Sequence, residues 1–297
     1  KTRLDAKNEL TFIGLGSVDV NELNLDIKNP DDQQKYILSQ LPENNQWSYT
    51  VGAVYKHFRQ NSYQTFVISR SHLNNTLTKY LENDNSSESN KILDYVSEEQ
   101  ENKIRFENNM RMDGFKANLG ANVDFAKYTN ATMQRRFYNG NTLNVNYDTD
   151  LNLVKYGIFG QVSHEFLAER LTFSAGFRMD GNNYSSEMNN LLKQFSPRFS
   201  ASYLFAPKWS INLNSGRYYQ LPPYTAMGYQ LNSVFVNKDN LKYISVDHFI
   251  GGVEFKPATA MQFSFEGFLK NYRNYPFSVN DQISLANKGA DYGVIGD

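Results

Sequence analysis

Residues 171–180 read LTFSAGFRMD and residues 261–270 read MQFSFEGFLK. In the first stretch Leu171, Phe173, Ala175, Phe177 and Met179 alternate with Thr172, Ser174, Gly176, Arg178 and Asp180. In the second, Met261, Phe263, Phe265, Gly267 and Leu269 alternate with Gln262, Ser264, Glu266, Phe268 and Lys270. Successive side chains of a β-strand point to opposite faces, so a period of two gives each segment one apolar and one mostly polar face. Trp209, Ile211 and Leu213 alternate with Ser210, Asn212 and Asn214 in the same way.

Working outward, the same pattern predicts strands over residues 9–18, 47–58, 63–79, 91–110, 115–127, 156–166, 197–205 and 249–255, about eleven in all. Residues 97–103 are so charged that a helical turn competes with a strand there. The predicted connections alternate in length. Short ones cover residues 59–62, 111–114, 167–170, 206–208 and 257–259, and long polar ones cover 19–46, 81–90, 134–150, 186–194 and 221–242. A meander with its tight turns at one end and its long loops at the other is the pattern of an up-and-down barrel in an outer membrane. Strands of about 12 residues, at roughly 3.3 Å each and tilted by about 40°, span on the order of 30 Å. The fold class expected is therefore all-β, an antiparallel up-and-down transmembrane barrel section, with residues 1–297 forming one partial barrel domain. The rival is a soluble all-β sandwich or barrel acting as a carbohydrate-binding module. Eleven strands of this length would need more Leu, Ile and Val for a soluble core than the chain carries.

Composition supports the barrel. The chain has 20 Tyr and 21 Phe against 2 Trp, and aromatics favour strands. Mean hydropathy is −0.60, and no apolar run is long enough for a membrane helix. A barrel strand is half polar, so it hides from such averages. The formal net charge of −1 argues against a nucleic-acid partner. With no Cys there are no disulfides, thiolate metal sites or Cys nucleophiles. Lys1 follows no export signal and Asp297 ends on Gly-Asp, which reads as a fragment.

Catalytic motifs are not found: no nucleophile elbow, phosphate loop or His-Glu-x-x-His pair. His57, His72, His164 and His248 are scattered, and His164 reads as interfacial. Asp148, Asp150 and Asn152 imitate the start of a calcium loop, but Leu153 stands where Gly is required and Phe159 where the closing Glu belongs. Glu82, Asp84 and Glu88 read as a solvated acidic loop. No metal or cofactor is expected. Trp47, Tyr49, Tyr55, Tyr156, Phe166, Tyr203, Phe205 and Trp209 cluster near strand ends, where an aromatic girdle meets lipid headgroups. Arg178, Arg198, Asn212, Asn214, Glu254, Gln262, Glu266 and Lys270 fall on polar faces and are expected to line the lumen and meet whatever fills it.

Three linked stretches carry a family resemblance. KYGIFGQVSHEFLAERLTFSAGFRMDGNNYS (155–185), SPRFSASYLFAPKWSINLNSGRYYQLPPY (196–224) and VDHFIGGVEFKPATAMQFSFEGFLKNYRNYP (246–276) resemble successive hairpins in the barrel of TonB-dependent outer-membrane receptors, particularly the long-looped ones of the Bacteroidetes. Residues 1–154 fit the meander but carry no motif of their own. The resemblance implies a barrel of about 22 strands, of which this chain supplies half. It also implies a plug and further strands outside this sequence, contact with TonB through that plug, and energy-coupled uptake of a large scarce nutrient. Siderophore, cobalamin, oligosaccharide and peptide all remain open as ligands. Arg217, Tyr218, Tyr219, Gln220, Tyr224 and Tyr229, stiffened by Pro222 and Pro223, are the expected ligand contacts at the outer end, because Tyr offers a flat face and a hydroxyl at little entropic cost.

Overall fold

The computed structural model describes residues 1–138, 141–279 and 282–288. In chain order the strands are β1 (Thr2–Arg3), β2 (Asn8–Val20), β3 (Glu43–Phe58), β4 (Ser62–Tyr80), β5 (Lys91–Met112), β6 (Phe115–Tyr138), β7 (Asn141–Phe166), β8 (Leu171–Asn182), β9 (Ser196–Ala206) and β10 (Trp209–Gln220). Two short strands, β11 (Gln230–Leu231) and β12 (Val234–Phe235), precede β13 (Ile244–Ala258) and β14 (Met261–Arg273), and β15 (Phe277–Ser278) and β16 (Ile283–Ser284) follow. The helices are α1 (Asp32–Gln40), α2 (Ser186–Asn189), α3 (Tyr224–Gly228) and α4 (Leu285–Lys288). β1 to β10, β13 and β14 form one antiparallel meander of 12 strands, each paired with its neighbours in sequence. The sheet is an open section of barrel wall.

The ladders carry the period of two across the whole sheet. Leu10, Tyr55, Phe66, Phe106, Ala121, Ile158 and Met179 form one continuous row of paired positions from β2 to β8. The adjacent row, Thr11, Val54, Val67, Arg105, Asn122, Gly157 and Asp180, faces the other way. On β9, β10, β13 and β14 the first face continues as Tyr203, Ile211, Val253 and Phe265. Its aromatic and aliphatic side chains lie open: Phe12 is 71% and Phe265 80% exposed. A soluble protein does not leave so extended an apolar surface in water, so this is the lipid face, and the soluble-module alternative falls.

All eight girdle aromatics lie on this face. At the lower end Trp209 stacks on Phe255 at 4.3 Å, Phe255 on Phe263 at 6.4 Å, and His164 on Phe115 at 4.1 Å. The turns here are tight. In the β5–β6 connection Asp113 and Gly114 take φ of 42° and 82°, the left-handed pair that a two-residue hairpin needs and that Asp-Gly tolerates.

One sequence expectation holds against its rival and one changes. Residues 97–103 are strand, not helical turn: Ser97 pairs with Asn75 and Asn130, and Lys103 with Ser69 and Asp124. They are charged on both faces because they rise beyond the apolar band into water. Residues 134–138 and 141–150 are strand and not the long loop expected there. β6 and β7 run 24 and 26 residues and stay paired to Tyr138 and Asn141. In the sequence Leu143, Val145 and Tyr147 alternate with Asn144, Asn146 and Asp148, and Asn139-Gly140 is a hairpin-turn signal, so the strand pattern is present there although it is read as a polar loop.

Residues 183–195 and 221–243 fold back over the polar face of the upper sheet and make its buried core. Met188 and Met227 are fully buried and pack with Tyr128, Leu151, Leu153, Tyr184 and Tyr243. Tyr184 donates to the carbonyl of Met227 at 2.8 Å, and Thr149 donates to that of Gly228. Asn182 donates to the Tyr243 hydroxyl at 2.9 Å. Burial pushes that hydroxyl's pKa up to about 12. α3 can lie this close because Gly228 has no side chain: a Cβ there would meet Thr149 Cγ2 at 2.8 Å and the Tyr128 ring at 3.1 Å.

Two outcomes follow for the complete barrel. Phe265→Arg, on the lipid face near mid-band, lowers barrel stability in a refolding titration by about 2–4 kcal/mol, whereas Gln262→Arg on the other face costs little. Equal losses for the two would show that neither face meets lipid. Gly228→Val destabilises the docked α3 segment by about 1–3 kcal/mol through overpacking, so limited proteolysis cuts residues 229–243 faster while the barrel stays folded. An unchanged cleavage rate would mean that this segment is not anchored at Gly228.

Candidate functional site

The polar face is organised in pairs two residues apart on one strand. Arg178 holds Asp180 through Nε at 2.7 Å and Nη2 at 2.6 Å, and Nη2 also donates to Asn122 at 3.0 Å. Arg105 binds Glu107 at 2.6 Å, and Lys103 binds Glu101 at 2.6 Å. Between the two arginines lies the Phe159 ring, 4.6 Å from the guanidinium of Arg105 and 5.6 Å from that of Arg178. Gly120 leaves the space that this ring fills. Cation–π contacts on both sides fix the aromatic side chain in an otherwise polar wall.

A cavity of about 960 Å3 opens on this wall toward the short-turn end. Arg59, Arg105, Arg111, Lys116, Arg178 and Arg198 line it. Lys116 is neutralised by Glu165 at 2.6 Å. The rest of the lining is mainly amide and hydroxyl groups with the rings of Phe58, Tyr63, Phe159 and Phe177.

The second half of the wall is less neutralised. Arg198 lies over the Tyr218 ring at 4.5 Å and donates to Ser196 Oγ at 3.3 Å, with no carboxylate partner among the described residues. Tyr218 packs on His248 at 4.9 Å, and His248 stands opposite Lys270 in the ladder. His248 Nε2 is buried and has no hydrogen-bond partner among the described residues. Arg198, Tyr218, His248 and Lys270 thus form a basic and aromatic row across four strands. Lower on the same face, Asn212 stands opposite Gly252, which stands opposite Glu266, and Asn214 stands beside Ser200 and Ile250. Gln262 donates to Glu254 at 2.7 Å. The register therefore puts Arg178, Arg198, Asn212, Asn214, Glu254, Gln262, Glu266 and Lys270 on one face of the sheet, under the folded loops. His248, Phe159 and Arg105 belong to this face as well. The sequence signal for them was the parity of their strands, which was read only for the clearest segments.

The six expected ligand contacts do not form one surface. β10 alternates, so Tyr218 and Gln220 face the polar side, while Arg217 and Tyr219 take the other parity. Arg217 is bound to Asp247 at 2.6 Å. Tyr224 and Tyr229 are buried, at 8% and 6% exposure. The Tyr224 hydroxyl accepts from Lys155 at 2.9 Å and donates to Glu101 at 2.9 Å, and Lys155 and Glu101 also form an ion pair. Burial, followed by the nearby charge of Glu101, pushes the Tyr224 hydroxyl well above the ordinary tyrosine range.

Asp148, Asp150 and Asn152 lie on the extended backbone of β7, which cannot wrap an ion. Asp150 pairs with Lys127 at 2.9 Å and accepts from Asn152 at 2.8 Å. Asp84 accepts from Ser86 and Asn90, and Glu88 pairs with Lys91. Among the described residues no three His, Asp or Glu side chains are gathered as metal ligands.

No curated protein sequence matches the chain. The copper transporter OprC superposes with a TM-score of 0.64 at 12% identity, covering 90% of this chain and 43% of OprC. A mutant of the ferric enterobactin receptor PfeA from Pseudomonas aeruginosa does so with a TM-score of 0.64 at 14% identity, over 91% of this chain and 41% of that one. The siderophore receptor PirA from Pseudomonas aeruginosa gives 0.59 at 11% identity, over 95% and 47%. At these identities the likeness is one of fold, and the chain spans less than half the length of each. The family profile described as "TonB dependent receptor-like, beta-barrel" matches residues 5–294. The apolar outer face, the polar inner wall and this match together establish that the chain belongs to the family of TonB-dependent receptor β-barrels, proteins of the bacterial outer membrane.

Proposed function

We propose that this chain, as a single barrel domain, forms part of the wall of a receptor for a nutrient too large for a diffusion pore. Capture takes place at the loop-bearing end, and import is driven through TonB by a plug that fills the lumen. The observation that carries this reading is the basic and aromatic row Arg198–Tyr218–His248–Lys270, which lies on the inner wall with its cations unmatched by acids. A wall that only needed solvation would be neutralised throughout, as it is around Arg105 and Arg178. The basic cavity below supports a polar plug surface as its occupant. The open edges of β2 and β14 support further strands, since lipid does not tolerate unpaired backbone. The neighbours named above are a copper transporter, a ferric enterobactin receptor and a siderophore receptor. Siderophore, cobalamin, oligosaccharide and peptide remain the ligand classes for this chain, with no catalytic role.

Tyr218 and Gln220 are the proposed capture residues, and Tyr224 and Tyr229 hold the capture loop in shape from beneath. In the full-length receptor, Tyr218→Ala removes both the ring under Arg198 and the contact with His248, and weakens nutrient binding to intact cells by about 1–2 kcal/mol. Surface abundance stays unchanged. Tyr224→Ala instead lowers abundance, because it leaves Lys155 and Glu101 without their shared hydroxyl in a buried setting. Unchanged binding in Tyr218→Ala, together with weakened binding at normal abundance in Tyr224→Ala, would move the site from the wall into the loop core.

A further inference from the structure

The lipid face of β9, β10, β13 and β14 carries two features that uptake does not use. The first is an apolar groove of about 520 Å3. Its floor is small, made by Ala201, Gly251 and Gly267, and its sides are Phe199, Phe249 and Leu269. A Cβ built at Gly251, inside the sheet, would meet only Leu213 Cδ2, at 3.4 Å, so the floor of the groove is shallow and unfilled there.

The second feature crowns the groove. In the ladders Ser215, Phe249 and Leu269 form one row, and the next row up on the same face is Arg217, Asp247 and Asn271, with Arg273 just above. Asp247 accepts from Arg217 Nε at 2.6 Å and Nη2 at 3.1 Å, and from Arg273 Nη2 at 3.0 Å. Two guanidiniums share one carboxylate, so the cluster keeps a net positive charge. Asp247 is the more buried member, its side chain 18% exposed against 53% for Arg273. The carboxylate orients the two cations and leaves their outer edges to the membrane. From the Trp209 belt to Arg217 the sheet rises on the order of 20 Å at roughly 3.3 Å per residue and about 40° of tilt, close to the apolar height of about 25 Å that an outer-membrane barrel presents. The arginines therefore stand at the headgroup level on the long-loop side.

We propose that this is a binding site for a phosphate-bearing lipid of the outer leaflet, with an acyl chain in the Gly251–Gly267 groove and the phosphate against Arg217 and Arg273. Guanidinium forks match phosphate oxygens in bidentate fashion. A free anion would make no use of a groove that opens onto hydrocarbon. An uncharged lipid would leave the net positive charge of the Arg217–Asp247–Arg273 cluster unmatched at the membrane boundary. The site faces outward and is independent of the capture reading above.

The test uses the full-length receptor, purified in detergent and stripped of lipid. It is titrated with diphosphorylated lipid A, with its dephosphorylated counterpart bearing the same acyl chains, and with inorganic phosphate, and complexes are counted by native mass spectrometry. The wild type binds the phosphorylated lipid at least about tenfold more tightly than the dephosphorylated one. Arg273→Gln, which leaves the Arg217–Asp247 pair in place, loses part of that preference, and the double change Arg217→Gln with Arg273→Gln loses all of it. Gly267→Leu fills the groove and weakens both lipids, and inorganic phosphate displaces neither. Folding is checked by heat-modifiable mobility, and Arg273→Gln alone decides if the double variant does not fold. Equal affinity for the two lipids in the wild type overturns the proposal, as does a preference that survives the arginine changes. Displacement by inorganic phosphate with Gly267→Leu inert also overturns it, leaving a free-anion site.

Discussion

In hydrocarbon an unpaired peptide N–H or C=O has no water to bond, so an extended chain crosses only where neighbouring strands satisfy its backbone. Here that pairing runs through 12 strands without a crossover. Because the ladder is continuous, a residue's face is decided once for the whole sheet. Leu10 on β2 and Met179 on β8 belong to one row, although they lie far apart in sequence. A slip of one residue in any ladder would send Arg105, Arg178 or Glu266 into lipid, where a charge is expensive. Register is therefore enforced by the membrane as well as by the turns.

The same constraint sorts the charges. On the inner wall acids and bases meet as neighbours two apart along a strand, the shortest separation that keeps both on one face. On the outer face charge returns where the apolar rows end, among others at Arg217, Asp247 and Arg273 near one edge of the sheet, at Arg70 and Glu98 farther round, and at the Lys127–Asp150 pair. Arg70 there is held by Tyr49, Asn102 and Gln100, with Trp47 beside Tyr49. The band between the lower aromatic belt and these polar groups sets the sheet's vertical position in the membrane.

Above that level the sheet behaves as a soluble protein. β5, β6 and β7 continue as a paired ribbon in water, and two connecting segments fold onto their inner side around Met188 and Met227. The tyrosines of these segments act mainly through their hydroxyls, which reach backbone carbonyls, Lys155 and Glu101. This fixes the shape of the surface above the wall, while Tyr218 and Gln220 on β10 stay on the wall itself.

The sequence alone determined the fold class, the number of long strands, the position of the five short turns at one end of the sheet and the face of Phe173, Phe263, Phe265, Arg178 and Glu266. Period two is a local property that needs no partner to be read. The three hairpins after residue 154 also carried the family. What only the tertiary structure decided lies where alternation stops carrying that meaning. Residues 97–103 are strand in water, with both faces polar, so their ladder partners and not their own pattern make them extended, and residues 134–138 and 141–150 continue the paired ribbon beyond the apolar band. Tyr224 and Tyr229 read as ligand contacts by composition, but burial depends on which distant residues arrive above them: Tyr184, Thr149 and Glu101 come from three other elements. The row from Arg198 to Lys270 and the pairing of Arg217 with Arg273 through Asp247 join residues tens of positions apart. Only strand register, which is a relation between segments, brings them together.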